Sequence, residues 1–502
     1  MKNAGFAEII LVFLMAIIAF GYFSPAGYFS PKGDWNANSR LALVKAVVEE
    51  GRFEIDDYST TTMATGDKAR FNGHFYSDKA IGSALLGIEF YGPLYAISNN
   101  LGHPLDTVPF QELITFLAVG LICAVLVPLV YSFVKGISGS AAYSLLISLA
   151  VCVGTPFYFY GTVYYGHSLA GTFLFIAFLL WFNMKNDEQI SLAKTLISAY
   201  FLGYAFITEY TTAIIVLLIG LYILYVIWKQ KQLLRPQVYV LLAVGFLAPL
   251  TVALLYNQAV FHNPFSTGYG YEALPQFSTK QGLGLMGIGL PDLTILFYMT
   301  FHTTMGIFWQ SPVLLLAFIG WVVMWRNSPY RAEGLLSFGI ILLYLVIFSG
   351  YFTWWGGAAF TPRFITPIFP FFAVPLAFLP RKAYLAAGVL TFIAVAQMLF
   401  VSAASNDGLR KIVNPIADGH YYTMFENSIN YNVYFKNFLA RRLSTNRGSE
   451  FLGLPNLKSL LPLLVAEIIL LGLFVKSTCT LPAHQLARFW HRLATGMKKS
   501  SG

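Results

Sequence analysis

Between Gly33 and Phe90 the chain reads GDWNANSRLALVKAVVEEGRFEIDDYSTTTMATGDKARFNGHFYSDKAIGSALLGIEF. This stretch gathers Asp34, Asp56, Asp57, Asp67 and Asp78 with Arg40, Lys68, Arg70 and Lys79. A carboxylate in such company can accept a proton from an incoming hydroxyl or amine. A lysine or arginine beside it can steady a departing phosphate. The competing reading is a solvated loop whose charges keep it out of lipid. A second group lies in TWWGGAAFTPRFITPIFP, Thr353–Pro370, where Arg363 stands between paired tryptophans and a proline-rich run. A charge at that depth is costly and therefore functional or paired, and arginine can grip a phosphate through two parallel hydrogen bonds. Trp355 reads as an interfacial anchor or a binding platform. Glu209 in FITEYTTA and His167 in VYYGHSLAG, with Tyr165 beside it, end other apolar runs. Tyr269, in YNQAVFHNPFSTGYGYE, is a further contact candidate with His262 and Tyr271.

Elements of one kind must position these residues. The 502-residue chain is 57% hydrophobic, 17% aromatic and only 11% charged. A soluble domain carries about 25% charged residues, so the composition indicates an all-α polytopic membrane protein. About twelve spans are expected, each near the ~20 residues a bilayer requires. They fall near 6–23, 110–134, 141–160, 168–182, 192–207, 212–228, 238–256, 306–325, 335–348, 365–379, 384–401 and 457–474. The first is long enough to span and lacks a small-residue cleavage site, so it reads as a retained helix. Pro367, Pro370 and Pro375 crowd the tenth. In the first loop, Leu41, Val44, Val47 and Val48 have helical spacing, which predicts an amphipathic surface helix over 38–50. A second surface or half-inserted helix is expected over 81–97. The net charge of +9 lies mostly in short gaps between apolar runs and in the tail, which reports orientation and excludes a nucleic-acid binder. Cys123, Cys152 and Cys479 are far apart, with neither disulfide nor zinc spacing. No phosphate-binding Gly-rich loop, nucleophile elbow, metalloprotease or dinucleotide motif occurs.

Basic residues alternate along the gaps: Lys135, then Lys185 and Lys194, then Lys229, Lys231 and Arg235, then Arg326 and Arg331, then Arg381 and Lys382. The positive-inside rule therefore puts both termini in the cytoplasm and residues 24–108 outside. Residues 257–305 and 402–456 follow as outside loops, and 476–502 as a basic cytoplasmic tail. The chain 1–502 reads as one membrane-embedded domain, with three long loops sharing one face, where function is expected.

With these features assembled, the layout resembles the GT-C superfamily of polytopic glycosyltransferases, in the bacterial branch of protein O-mannosyltransferases and lipid A aminoarabinose transferases. NSRLALVKAVVEEGRF stands where that family has its surface helix, and FNGHFYSDKAIG resembles its tyrosine–acid–lysine segment, which matches Asp78 and Lys79 to the acid–lysine pair. GYAFITEYTTA and WWGGAAFTPRFITPIFPF are similar to segments of bacterial members. The family's common motif sets its catalytic acid directly before an arginine–tyrosine pair. Here Ala37 and Asn38 stand ahead of Arg40, and Asp34 is the nearest acid. The resemblance implies an inverting glycosyltransferase of the bacterial cytoplasmic membrane. It would move a sugar from an undecaprenyl-phosphate donor to a glycan, lipid or protein acceptor on the extracytoplasmic face, without a metal or other cofactor. The general base would be Asp34 as first choice, or Asp57 or Asp78. Lys79, Arg363, Arg70 and Lys68 would hold the phosphate, and Arg40, His167, Glu209, Tyr165, Tyr269 and Trp355 would contact substrate. A flippase or transporter is the alternative from another class, weighed down by the lack of an internal repeat. A surface-polysaccharide polymerase or ligase is a third, disfavoured because the acidic loop comes first.

Overall fold

The computed structural model describes residues 5–23, 34–58, 63–102, 106–275, 279, 287–303, 305–327, 329–356, 361–404, 436–441 and 443–478. Most of the loop 402–456, the tail beyond Thr478 and Cys479 lie outside the described residues.

Helix α1 (Phe6–Tyr22) leads into the first loop, which holds α2 (Trp35–Glu50), a two-stranded hairpin of β1 (Lys68–Phe71) and β2 (His74–Ser77), and α3 (Gly82–Asn100). There follow α4 (Pro109–Ser138), α5 (Ala141–Cys152), α6 (Pro156–Gly161), α7 (His167–Met184), α8 (Leu192–Thr208), α9 (Tyr210–Lys229) and α10 (Pro236–Phe261). The second loop carries α11 (Leu293–Thr300), and the chain continues with α12 (Pro312–Arg326), α13 (Arg331–Ser349), α14 (Arg363–Leu376), α15 (Arg381–Ala403) and α16 (Asn456–Thr478). Seven of these, α4, α7, α9, α10, α13, α15 and α16, are long and apolar enough to cross a membrane. Five shorter apolar helices, α1, α5, α8, α12 and α14, stand at the other five places where spans are expected from the sequence. The protein is a polytopic helical membrane protein, with one small hairpin among the described residues.

The outer surface explains how a bundle this apolar stays folded. Leu217, Leu221 and Leu224 of α9 and Val240, Val244, Leu247 and Leu255 of α10 are exposed, which suits a protein whose solvent at that depth is hydrocarbon. The interior is aromatic: Phe175, Phe178 and Phe371 meet edge to face or tilted between α7 and α14. The proline-crowded span forms, but as a 3-10 helix over Arg363–Phe372 with a single α-turn after it. Pro367 and Pro370 are three residues apart, and proline cannot donate to an α-helical ladder, so the chain takes the tighter helix that repeats every three residues.

The first loop departs from the amphipathic surface helix expected there. α2 is capped by Asp34, whose Oδ1 accepts from Asn36 N at 3.0 Å. Its first turns are buried on every side, from Asn36 through Ala46 with Ala37 half-buried. The helix therefore lies inside the fold, between the hairpin and α3, and its polar face meets protein. The hairpin turns at Asn72–Gly73, both with positive φ (49° and 91°), which is the backbone a two-residue turn matching the strand twist requires. The second loop lies over this hairpin. Glu272 bridges Ala69, and Ala273 N donates to Lys68 O at 2.9 Å. Tyr271 stacks on Phe261 at 4.8 Å and meets Phe71 at 5.0 Å. At Gly268 the two loops touch so closely that a Cβ would stand 2.6 Å from the Asp78 Cα.

Candidate active site

Four helix ends and two loops meet at one end of the bundle, and each delivers a charged or aromatic side chain. Asp34 arrives as the cap of α2. Burial pushes its carboxyl above the usual aspartate range, opposed by the Tyr165 hydroxyl, the Arg363 charge and the Asn36 amide. Tyr165 is close enough to act on that carboxyl, yet Oδ2 of Asp34 is buried and has no hydrogen-bond partner in this structure. Arg363 opens α14 and stands against the same tyrosine. Its Nη1 lies 3.4 Å from the Tyr165 oxygen, and its guanidinium carbon is 5.3 Å from that ring and 5.4 Å from Phe364. Its Nε is buried without a partner.

His167, the first residue of α7, is enclosed by the rings of Tyr160, Tyr165 and Phe364 at 6.2, 5.9 and 5.5 Å. Its Nδ1 approaches Glu209 Oε1 at 3.3 Å, but neither ring nitrogen is in hydrogen-bonding geometry. Glu209 ends α8 and is bound by Arg40 Nη2 at 3.1 Å, with both side chains almost fully buried. Arg40 spends its other donors within the protein. Nε donates to Asn36 Oδ1, and Nη1 to Ala80 O and Ser83 Oγ. One arginine thus ties α2, the start of α3 and the end of α8 together.

Lys79 stands between two carboxylates, with Nζ 2.8 Å from Asp67 and 2.5 Å from Asp78. Burial works against the ammonium, but Asp67 and then Asp78 outweigh it and hold Lys79 above the usual lysine range. Asp78 is sealed in. It accepts from Ser39 Oγ at 3.0 Å and shares a hydrogen bond with Glu272 from the second loop. Burial and then the neighbouring Asp78 charge push the Glu272 carboxyl well above the usual glutamate range. For Asp78 burial is again the largest influence, and Lys79 and its hydrogen bonds overcome it to keep the carboxyl below its ordinary value. The ring of Tyr269 lies 5.9 Å from Lys79 Nζ.

No family model matches the sequence, and no curated protein matches it. Solved structures similar to the chain include two crystal structures of ArnT from Cupriavidus metallidurans, one bound to undecaprenyl phosphate and one in the apo state. Identity is 13% in both, with TM-scores of 0.43 and 0.44 over 76% of this chain. The chain spans about three fifths of their length, 61% and 60%.

The candidates read from the sequence thus separate into two sets. Asp34, Asp78, Lys79, Arg40, Tyr165, His167, Glu209, Tyr269 and Arg363 converge. Asp57 does not join them: it is largely exposed and paired with Arg52. Lys68 and Arg70 share the hairpin face opposite buried Ala69. Lys68 stacks its ammonium 4.0 Å from the Phe75 ring, and Arg70 is exposed. Trp355 is buried beside Trp354 at 6.1 Å. Two participants carried no assigned role from the sequence, Asp67 and Glu272. For Asp67 the signal was present, since Asn72–Gly73 announces a hairpin whose register, continued one pair beyond Lys68–Ser77, sets Asp67 opposite Asp78 and so next to Lys79. For Glu272 there was none, because its contact spans two loops far apart in sequence. Among the described residues, no three His, Cys, Asp or Glu side chains gather as metal ligands.

Proposed function

We propose that the protein is a membrane-embedded inverting glycosyltransferase of the GT-C kind, using a polyprenyl-phosphate sugar as donor. One observation carries the reading. Asp34 and Arg363 flank the same tyrosine, and each keeps a buried polar atom without a partner, Oδ2 on the carboxyl and Nε on the guanidinium. A buried polar atom left open costs free energy unless something else fills it. An acid and a cation open side by side suit a nucleophile that must lose a proton and a leaving group that gains charge.

In this mechanism the acceptor hydroxyl or amine gives its proton to Asp34 as its oxygen or nitrogen attacks the anomeric carbon. The bond from that carbon to the phosphate oxygen breaks with inversion, and the electron pair leaves on the polyprenyl phosphate. Arg363 meets the charge that develops there, a role electrostatic preorganisation serves well, and no metal is assigned to it. Raising the Asp34 carboxyl above its usual range also makes it a better proton acceptor near neutral pH. His167, Tyr165 and Tyr269 are the aromatic and polar groups placed to contact the sugar. The site would open to the extracytoplasmic face of a bacterial cytoplasmic membrane, with both termini in the cytoplasm.

The test uses the full chain purified in detergent, a panel of undecaprenyl-phosphate hexoses, pentoses and amino sugars, and envelope extract as the acceptor source. Release of undecaprenyl phosphate that depends on Asp34 supports the reading. Full release by Asp34→Asn, or none from any member of the panel, sinks it.

A further inference from the structure

Two of the cations expected to hold the donor phosphate, Arg363 and Lys79, stand in different states. Arg363 has an open Nε. Lys79 is already held twice, by Asp67 at 2.8 Å and by Asp78 at 2.5 Å. Those two carboxylates are not equivalent. Asp78 has no exposed side chain and is fastened by Ser39 and Glu272 as well as by Lys79. Asp67 keeps 18% of its side chain exposed, and Lys79 is the partner of its carboxylate. It sits in the bend before β1, where its amide receives support from Thr65 Oγ1 at 3.0 Å, so the backbone is anchored while the carboxylate is not. Its charge also reaches Asp34 and Arg363. The fixed acid and the partly exposed acid thus share one ammonium.

We propose that Asp67 is a stand-in anion for the donor phosphate: it holds Lys79 while the site is empty, releases it to the phosphate on binding, and takes it back as polyprenyl phosphate departs. The inference rests on the polyprenyl-phosphate reading above. An ammonium has three donors, and Asp78 keeps one of them in either state. Asp67 and a phosphate brought to the same Nζ would lie within a few ångströms of each other in a partly buried site, where like charges repel strongly. One of them must give way, and Asp67, partly exposed where Asp78 is sealed, is the one free to turn. Two consequences follow. In the empty site the Lys79 donor that Asp78 does not take keeps a partner. The product phosphate meets a competitor that is already in place, which favours its release.

The experiment is binding of undecaprenyl phosphate to the full chain in detergent, together with its inhibition of transfer, for wild type, Asp67→Asn, Asp67→Ser and Arg363→Ala. Asp187→Asn, an exposed acid between α7 and α8, controls for the loss of one negative charge. Removing the competitor should tighten undecaprenyl phosphate binding about tenfold, the scale of one close charge pair. It should strengthen product inhibition equally, and lower the donor KM with no gain in kcat. Asp187→Asn should bind as wild type does. A residue that merely braced the hairpin would weaken binding when removed, so the direction of the change is decisive. If wild type binds and both Asp67 variants bind equally or more weakly, the stand-in role is overturned and the glycosyltransferase reading survives. If wild type and the Arg363 variant alike bind no undecaprenyl phosphate, the glycosyltransferase reading falls and this inference with it.

Discussion

Two buried charge clusters in this protein are built to opposite specifications. Between α7 and α13, Lys185 donates to both carboxylate oxygens of Glu333 at 2.7 and 2.9 Å and to Pro329 O at 2.9 Å. Tyr222 of α9 completes it with a hydroxyl donated to Glu333 at 2.6 Å. Every donor of that lysine is used, and Lys185 and Glu333 are almost wholly buried. The cluster around Asp34, Arg363 and His167 is as charged and nearly as deep, yet it leaves a carboxylate oxygen, a guanidinium nitrogen and two imidazole nitrogens without hydrogen bonds. A closed cluster joins helices and has nothing left to offer a ligand. An open one is tolerated only because the surrounding fold holds it, and it is ready for whatever supplies the missing partners. Burial of charge is common to both, so satisfaction of hydrogen bonds is the property that separates a joint from a site.

That contrast can be broken or sharpened by measurement. The largest effect is expected at the open cluster. Asp34→Asn should lower the transfer rate by a factor of about 10²–10⁴, the usual worth of a general base, with the thermal unfolding midpoint held within a few degrees. The wild-type pH profile adds a check on the same group. The proposed base must be ionised to accept a proton, and burial raises the Asp34 carboxyl, so kcat/KM should fall as the pH drops through a value above the ordinary aspartate range. A flat profile down to that range would remove Asp34 as the base.

Next comes the closed cluster. Glu333→Leu strands the Lys185 charge and should cost about 3–5 kcal/mol of stability, whereas Lys185→Met with Glu333→Leu should recover most of that loss. Thermal unfolding in detergent reads both. Transfer by the surviving folded protein should match wild type, and a specific loss of activity there would erase the distinction between joint and site. Arg363→Lys keeps the charge but loses the planar fork, so the donor KM should rise by about 10–100-fold while folding is unaffected. The smallest effect belongs to Asp57→Asn. That carboxylate is exposed and engages Arg52, and surface pairs are worth little, so transfer should stay within about twofold of wild type. A larger fall would bring Asp57 back among the bases.

Much of the fold was readable because its physics is local. Apolar runs of bilayer length predict the spans, and the structure has an apolar helix in each of those places. Asp34 two residues before Asn36 follows the helix-capping rule, and Asn72–Gly73 is a strong short-range hairpin signal. The expected surface helix was misjudged for a reason that hydrophobic periodicity cannot reveal. Asn36, Asn38, Ser39 and Arg40 look like a solvent face, but they are buried against polar partners from elsewhere in the fold, among them Ala64 O, Ser77 and Glu209. A polar stripe specifies hydrogen bonds and leaves open whether water or protein supplies them.

The sequence by itself determined that this is a many-helix membrane protein, with its acids and bases concentrated in the first loop and a lone arginine ahead of the proline-rich helix. Those facts follow from composition and short-range spacing. Only the tertiary structure decided which charges meet. Arg40 finds Glu209 across 169 positions and Asp34 shares a tyrosine with Arg363, while Asp57, only one residue beyond Asp56 in the same loop, turns to solvent. Pairings of that kind depend on how helix ends converge, and the energy of a buried charge depends on every neighbour it acquires there. No window of sequence contains that information, because the partners of a buried ion are set by the packing of the whole bundle.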